Sequence, residues 1–210
     1  MIKKNWKLLI ITSVIILLPI LVGLILWSRL PEQVPIHWNA TGEIDGWSGK
    51  ALAVFGMPLF FLAIHWITLL VTSADPKKKN HSEKILSLIF WLIPILNLII
   101  STVTYCTAMG KSIRMEILVP LLLGVSLVAI GNYLPKCQQN YTIGIKIPWT
   151  LNSEENWNRT HRLAGFVWVM GGIIMILSAF WVGIWITIAV SAMMALIPVI
   201  YSYALHRKGI

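Results

Sequence analysis

The residues with most chemical capacity crowd into one stretch, NYTIGIKIPWTLNSEENWNRTHRLAG, from Asn140 to Gly165. Glu155 could exchange protons, His161 could act as a base, and Thr160 and Arg162 adjoin it, Arg162 as an anion clamp. A hydrolase or peptide-modifying enzyme at a membrane surface would use such a set. A second polar stretch, LPEQVPIHWNATGEIDGWSGK, runs from Leu30 to Lys50, in which His37, Glu43 and Asp45 are of a type that could ligate a metal. Neither stretch has a known catalytic spacing: H-E-x-x-H, G-x-S-x-G and the P-loop are all absent. The five histidines fall on different segments. Simpler roles suffice, with Glu154 and Glu155 at the positive end of a helix and solvated carboxylates in the turn. The sequence therefore predicts no catalytic residue, no metal site and no cofactor.

The elements that must position these stretches are apolar. The chain is 57% hydrophobic and 12% charged, about half the charged fraction of a soluble domain. Its apolar residues come in runs long enough to span lipid, which takes roughly 20 residues. We expect an all-α integral membrane protein, a six-helix transmembrane bundle in one domain over residues 1–210. The spans are placed at about 8–29, 51–73, 85–109, 114–133, 163–181 and 184–205. The basic N-terminus resembles a signal peptide, but the run Leu8–Trp27 is too long and lacks a small-residue cleavage site. It is read as an uncleaved first span. Two cysteines, Cys106 and Cys137, give neither a disulfide framework nor a paired metal spacing.

Charge sets the expected orientation. With the N-terminus inside, only Arg29, Lys50, Lys111 and Arg114 of the 17 Lys and Arg lie outside. The positive-inside rule thus puts both termini in the cytoplasm of a multi-pass cell-membrane protein. The basic inner face suits the anionic headgroups of the lipid bilayer. Its charges are scattered over short loops, which argues against direct nucleic-acid binding. Lys77-Lys78-Lys79 reads as a solvated topogenic cluster. No Asp, Glu, Lys or Arg falls in the middle of a span, which weakens a coupled pump or peptide exporter. His65 is read as a neutral histidine bonded to a neighbouring helix, and Asn97, Ser101, Thr102 and Thr104 as an interhelical polar stripe.

Two long loops remain, each after the first helix of a three-helix half. The outer loop, 30–50, is expected to form a small structured cap with a hairpin or tight turns. Pro31 and Pro35 hold it extended, and Gly42 and Asp45-Gly46 supply turn chemistry. The structured inner loop, 132–162, alternates Tyr141, Ile143, Ile145 and Ile147, which predicts a short extended segment. Asn152 as N-cap and Glu155 as its capping-box partner predict a helix start near Ser153. Glu155 and Arg159 have the favourable i,i+4 order. Trp157, His161 and Gly165 share one face, with Trp149 and Trp157 as interface anchors. Gly165, Gly171 and Gly172 would admit a second helix closely.

The inner motif closely resembles the signature of the SdpI immunity-protein family of bacterial membrane proteins. Gly131, Asn132, Leu134, Pro135 and Lys136 match its first block, and Asn140, Gly144, Ile145, Lys146, Pro148, Trp149, Thr150 and Leu151 its second. Trp157, Thr160, His161, Arg162 and Gly165 match its third. Lys146 stands where arginine is common, an exchange that weakens a bidentate contact. Leu30, Pro31, Pro35, His37, Trp38, Asn39, Gly42 and Asp45 resemble the family's companion N-terminal module. The resemblance implies protection against a secreted toxic peptide, and a second role in which the engaged protein captures a cytosolic transcriptional repressor. On that reading the peptide meets Pro35, His37, Trp38, Asn39, Gly42, Asp45 and Trp47. The inner motif, from Asn132 to Gly165, is either partner-binding or fold-defining.

Overall fold

The structure, a computed structural model, describes residues 2–180 and 184–210. Among the described residues six helices are long and apolar enough to cross a membrane. In chain order the elements are α1 (Trp6–Ile25), β1 (Gln33–Trp38), β2 (Ile44–Gly49), α2 (Met57–Ala74) and α3 (Glu83–Ala108). They continue with α4 (Met115–Tyr133), α5 (Pro148–Asn152), α6 (Glu154–Ser178) and α7 (Ile184–Arg207). Single 3-10 turns cover Ile2–Asn5, Lys78–Asn80 and Leu134–Lys136, and a π-helical turn, Leu52–Gly56, leads into α2. The expected end of the fifth span at residue 181 lies outside the described residues; α6 itself ends at Ser178. The chain forms two compact units, Met1–Ala74 with Leu86–Arg114, and Asp75–Ile85 with Met115–Ile210. Each holds three of the spans.

The first unit is held by polar stitches across apolar helices. Pro19 interrupts α1, and a proline has no N–H to continue the helical bonding. Two carbonyls around it take further donors from α3. Asn97 donates its amide to the Ile16 carbonyl at 2.8 Å, and the Tyr105 hydroxyl donates to the Pro19 carbonyl at 3.0 Å. On α2, His65 is fully buried with Nε2 3.0 Å from the Thr12 hydroxyl. That hydroxyl donates to its own helix at the Leu8 carbonyl, 2.9 Å away. With that hydroxyl's proton on the Leu8 carbonyl, His65 Nε2 is the donor, and the ring ties two helices together as expected. Leu9, Leu69 and Phe90 close the apolar core beside it.

The outer loop folds as the expected hairpin. Strands β1 and β2 pair antiparallel, with Pro35 opposite Trp47 and Trp38 opposite Ile44. The register slips on either side of His37, where an extra residue is accommodated. Val34 is buried and anchors the sheet's inner side. Lys50 pairs with Glu32 at 2.7 Å and lies over the Trp27 ring, fixing the hairpin's base.

In the second unit α6 is the central element, packed on α4, α5 and α7. Two glycine pairs let α4 and α6 touch backbone to backbone. A Cβ on Gly124 would sit 2.6 Å from the Gly172 carbonyl, and one on Gly165 would sit 2.8 Å from the Gly131 carbonyl. The sequence pointed to Gly165 and Gly172; Gly124 and Gly131 are their partners. Gly171 faces α7 instead, against Met194. The extended inner segment expected at 141–147 is corrected to bends over 141–144 followed by irregular chain, with no strand. The α6 cap is corrected as well. Asn152 ends α5, and Ser153 caps α6, accepting from the Asn156 N–H at 3.1 Å. Pro148 opens α5, a short extra helix that displaces the predicted boundary.

Candidate functional site

The inner motif is organised around buried side chains that serve the backbone. Asn140 is 1% exposed. Its carbonyl oxygen accepts from the Thr142 N–H at 2.9 Å and the Ile143 N–H at 2.6 Å. Its amide donates to the Gln138 and Ile143 carbonyls, 2.9 and 3.0 Å away. One asparagine thus replaces the ladder that a strand would have supplied, which is why this loop is ordered without being extended. Thr150 does the same a few residues on, donating to the Ile145 carbonyl at 2.7 Å and accepting from the Ile147 N–H at 3.1 Å.

Trp157 and His161 carry this loop on α6. Trp157 is fully buried, and its indole N–H donates to the Cys137 carbonyl at 2.6 Å. It is a core residue, which corrects the expectation of an interface anchor. The His161 ring stacks on it, centroids 4.0 Å apart. His161 Nδ1 lies 2.8 Å from the Trp157 carbonyl, and the Ile145 N–H donates to Nε2 at 2.9 Å. Nδ1 therefore holds the proton and Nε2 accepts, so the ring is neutral. Both nitrogens are used and the residue is 1% exposed. No lone pair is left for the base role considered from sequence. Gly144 makes the approach possible. It sits at φ +113°, and a Cβ there would lie 2.4 Å from His161 Nε2.

A further network ties α6 to α7. Asn156, buried, donates to the Ser202 carbonyl at 3.0 Å and accepts from the Ser202 hydroxyl at 2.6 Å. Thr160 joins by donating to the same Asn156 oxygen at 3.1 Å. Trp149 is half-buried on α5, its ring 5.0 Å from Tyr203 and 6.0 Å from His206 on α7.

Sequence reasoning missed the segment Asp75–His81, which packs on the motif loop within the same unit. Asp75 is 2% exposed. Its carboxylate accepts from the Lys77 N–H at 2.7 Å, the Tyr141 N–H at 2.9 Å and the Thr142 hydroxyl at 2.8 Å. His81 Nε2 lies 3.3 Å from it and 3.2 Å from the Thr142 hydroxyl. Burial disfavours the charged carboxylate, but Thr142, the two backbone donors and His81 together outweigh it. They hold Asp75 below its usual range. Lys77 donates to the Gln139 side-chain oxygen and Asn80 to the Gln139 carbonyl. Gln139 in turn donates to the Thr150 carbonyl at 2.8 Å. The lysine run hid this clasp: Lys78 and Lys79 are exposed as read, while Lys77 is engaged. A lone aspartate opening a basic run was the available signal.

The remaining motif residues lie at the surface. Asn132, Pro135, Lys146, Pro148 and Arg162 are exposed. Lys146 donates to the Thr142 carbonyl at 2.9 Å, and Arg159 pairs with Glu155 at 2.6 Å as its spacing predicted. Cys137 is buried, and burial raises its thiol pKa against the opposing hydrogen bond from Asn140. Both burial and the raised pKa favour the thiol form, the weaker nucleophile.

The outer hairpin is built in the opposite way. Asn39 organises its tip, accepting from the Thr41 N–H at 3.0 Å and the Glu43 N–H at 2.9 Å. Gly42 takes the turn at φ 84°. Beyond this, His37 and Asp45 form an exposed pair, Nδ1 to Oδ1 2.5 Å. Trp47 is 55% exposed, Trp38 is half-buried and Pro35 is buried. Among the described residues no group of three His, Cys, Asp or Glu is placed to hold a metal.

Comparison with known proteins follows the same division of the chain. Residues 136–202 match the model of the SdpI/YfhL protein family, and residues 14–62 match a domain of unknown function. Immunity protein SdpI of Bacillus subtilis (strain 168) is 30% identical over 209 residues, covering 98% of this chain and 97% of the relative. No solved structure matches.

Proposed function

Because the chain belongs to the SdpI/YfhL family, we propose that it is a membrane immunity protein that protects its cell against a secreted toxic peptide. The observation that carries this reading is the likeness to an immunity protein along essentially the whole chain, both loops included. The outer hairpin is the recognition surface, offering Trp47 and the His37–Asp45 pair to the peptide. Aromatic residues with one apolar body and one polar tip suit contact with an amphipathic ligand at a membrane surface. Expression of the chain in a sensitive host should raise survival against at least one member of a panel of secreted peptide toxins. Unchanged killing across the panel, with the protein present in the membrane, would overturn it.

A second role, relay of toxin engagement to a cytosolic repressor, is favoured by the clasp. The chain runs from β2 through the π-helical turn and α2 directly to Asp75. Asp75 holds the backbone of the motif loop at Tyr141 and Thr142. On this reading the chain's continuity from the hairpin to Asp75 would carry toxin engagement to the loop that presents Lys146 and Pro148. The π turn, often found at functional positions, is a natural place for such a relay to start. In a reporter strain, Asp75→Asn should abolish toxin-induced derepression while survival is retained. Derepression at the wild-type level in Asp75→Asn would reject the relay.

A further inference from the structure

Two openings follow one another along the length of α6. Over its first turns a cleft of about 420 Å³ is lined by Glu154, Glu155, Asn158, Arg159 and Arg162. Deeper in the span, a groove of about 170 Å³ lies between α6 and α7, lined by Phe166, Met170, Ile174 and Met193 among other apolar residues. Asn158, Arg162, Phe166 and Met170 recur every four residues, so each sits about one turn beyond the last and the row leads, winding slowly around α6, from the polar cleft into the groove. Phe166 is 66% and Met193 57% exposed, which leaves the groove open to lipid. Gly171 keeps its floor low.

The charges in the cleft are ordered by depth. Arg159 is engaged by Glu155. Arg162 and Glu154 have no ion-pair partner among the described residues. Arg162 is the group nearest the groove, and Glu154 lies eight residues, about 12 Å, farther from the bilayer interior. A phospholipid presents its parts in the complementary order: acyl chain, then phosphate, then terminal headgroup. An arginine at the apolar boundary stretches its stem along the lipid and places a planar fork at phosphate depth.

We propose that this face of α6 and α7 binds a single phospholipid of the leaflet on the motif-loop side. One acyl chain lies in the groove, the phosphate sits on Arg162, and the terminal group meets the rim at Glu154. The acidic rim selects the headgroup. Phosphatidylethanolamine brings an ammonium to Glu154, whereas phosphatidylglycerol brings only a neutral glycerol to the same carboxylate. The site serves neither the hairpin nor the clasp, so it stands or falls apart from the immunity reading.

The test is native mass spectrometry of the full chain released from nanodiscs of equimolar phosphatidylethanolamine and phosphatidylglycerol. One phosphatidylethanolamine should be retained in preference. Arg162→Ala should lower its retention about tenfold, the scale of one lost charge-assisted contact. Glu154→Gln should shift selectivity toward phosphatidylglycerol. Lys111→Ala, an exposed lysine elsewhere, should change nothing. Absence of a retained lipid, equal retention of both lipids, or undiminished retention in Arg162→Ala would each overturn the proposal.

Discussion

The outer hairpin and the inner motif loop look alike as sequence and differ as structure. Both are polar, aromatic-rich interruptions of an apolar chain, and both resemble blocks of one family signature. In the hairpin the chemically able groups face outward: His37, Asp45 and Trp47 are all exposed. In the motif loop most of them face inward: Asn140, Thr150, Trp157, Thr160 and His161 are all buried, while charged groups such as Glu155 and Arg162 stay exposed. A shared family pattern can therefore specify a surface in one place and a fold in another. Burial decides which, because a buried polar group must be matched by a specific partner, while an exposed one is free to meet something else.

The largest effect expected from this contrast lies at Trp157. It is fully buried, donates to Cys137 and carries His161. Trp157→Ala should cost about 3–5 kcal/mol, the range for emptying a large aromatic from a core. Thermal unfolding in detergent should show most of the folded protein lost. A melting temperature near wild type would mean that the motif is surface after all, and the contrast would fail.

Gly144 comes next. An added Cβ would lie 2.4 Å from His161 Nε2, at a φ that side chains rarely adopt. Gly144→Ala should destabilise by roughly 1–3 kcal/mol through backbone strain, and it should break the Ile145–His161 bond. Loss of the slowed exchange of the Ile145 amide would report that break directly. An unchanged melting temperature would remove the close approach from the account.

Asp75 sharpens the comparison with pH. Its carboxyl is held below the usual carboxylate range, so the folded state binds its proton less readily than the unfolded state. The stability it contributes is fully present above about pH 4, the unfolded value, and is lost as pH falls through the folded pKa. Wild type should lose melting temperature on that acid limb, and Asp75→Asn should flatten it. At neutral pH the substitution should cost about 1–3 kcal/mol, since charged acceptors hold their donors more strongly. A limb of equal slope in both proteins would place the acid sensitivity elsewhere.

How much of this was legible in the sequence follows from where each signal is local. The six spans needed only length and hydropathy, and the hairpin announced itself by Pro35, Gly42 and Asp45-Gly46. Glu155–Arg159 and the close approach at Gly165 followed from helical spacing. The clasp did not, because Asp75 meets Tyr141 and Thr142 across more than sixty residues, a distance that no local pattern encodes. Trp157 misled for a related reason. Tryptophan near a span end usually rests among headgroups, and only the fold of residues 137–147 over its ring buries it.

The smallest stability effect and the most specific functional one should coincide in the hairpin. His37 and Trp47 are exposed, and surface substitutions typically stay within about 0.5 kcal/mol. Trp47→Ala and His37→Ala should therefore leave the melting temperature unchanged while lowering survival in the toxin assay at equal protein level. The His37–Asp45 pair adds a control. Asp45→Asn keeps a side-chain oxygen for His37 and removes the charge, so it separates the hairpin's shape from its electrostatics. If survival falls in Trp47→Ala but not in Asp45→Asn, the hairpin recognises its ligand by apolar contact. If both leave survival intact, exposure in the hairpin marks no recognition surface, and the difference between the loops is one of folding alone.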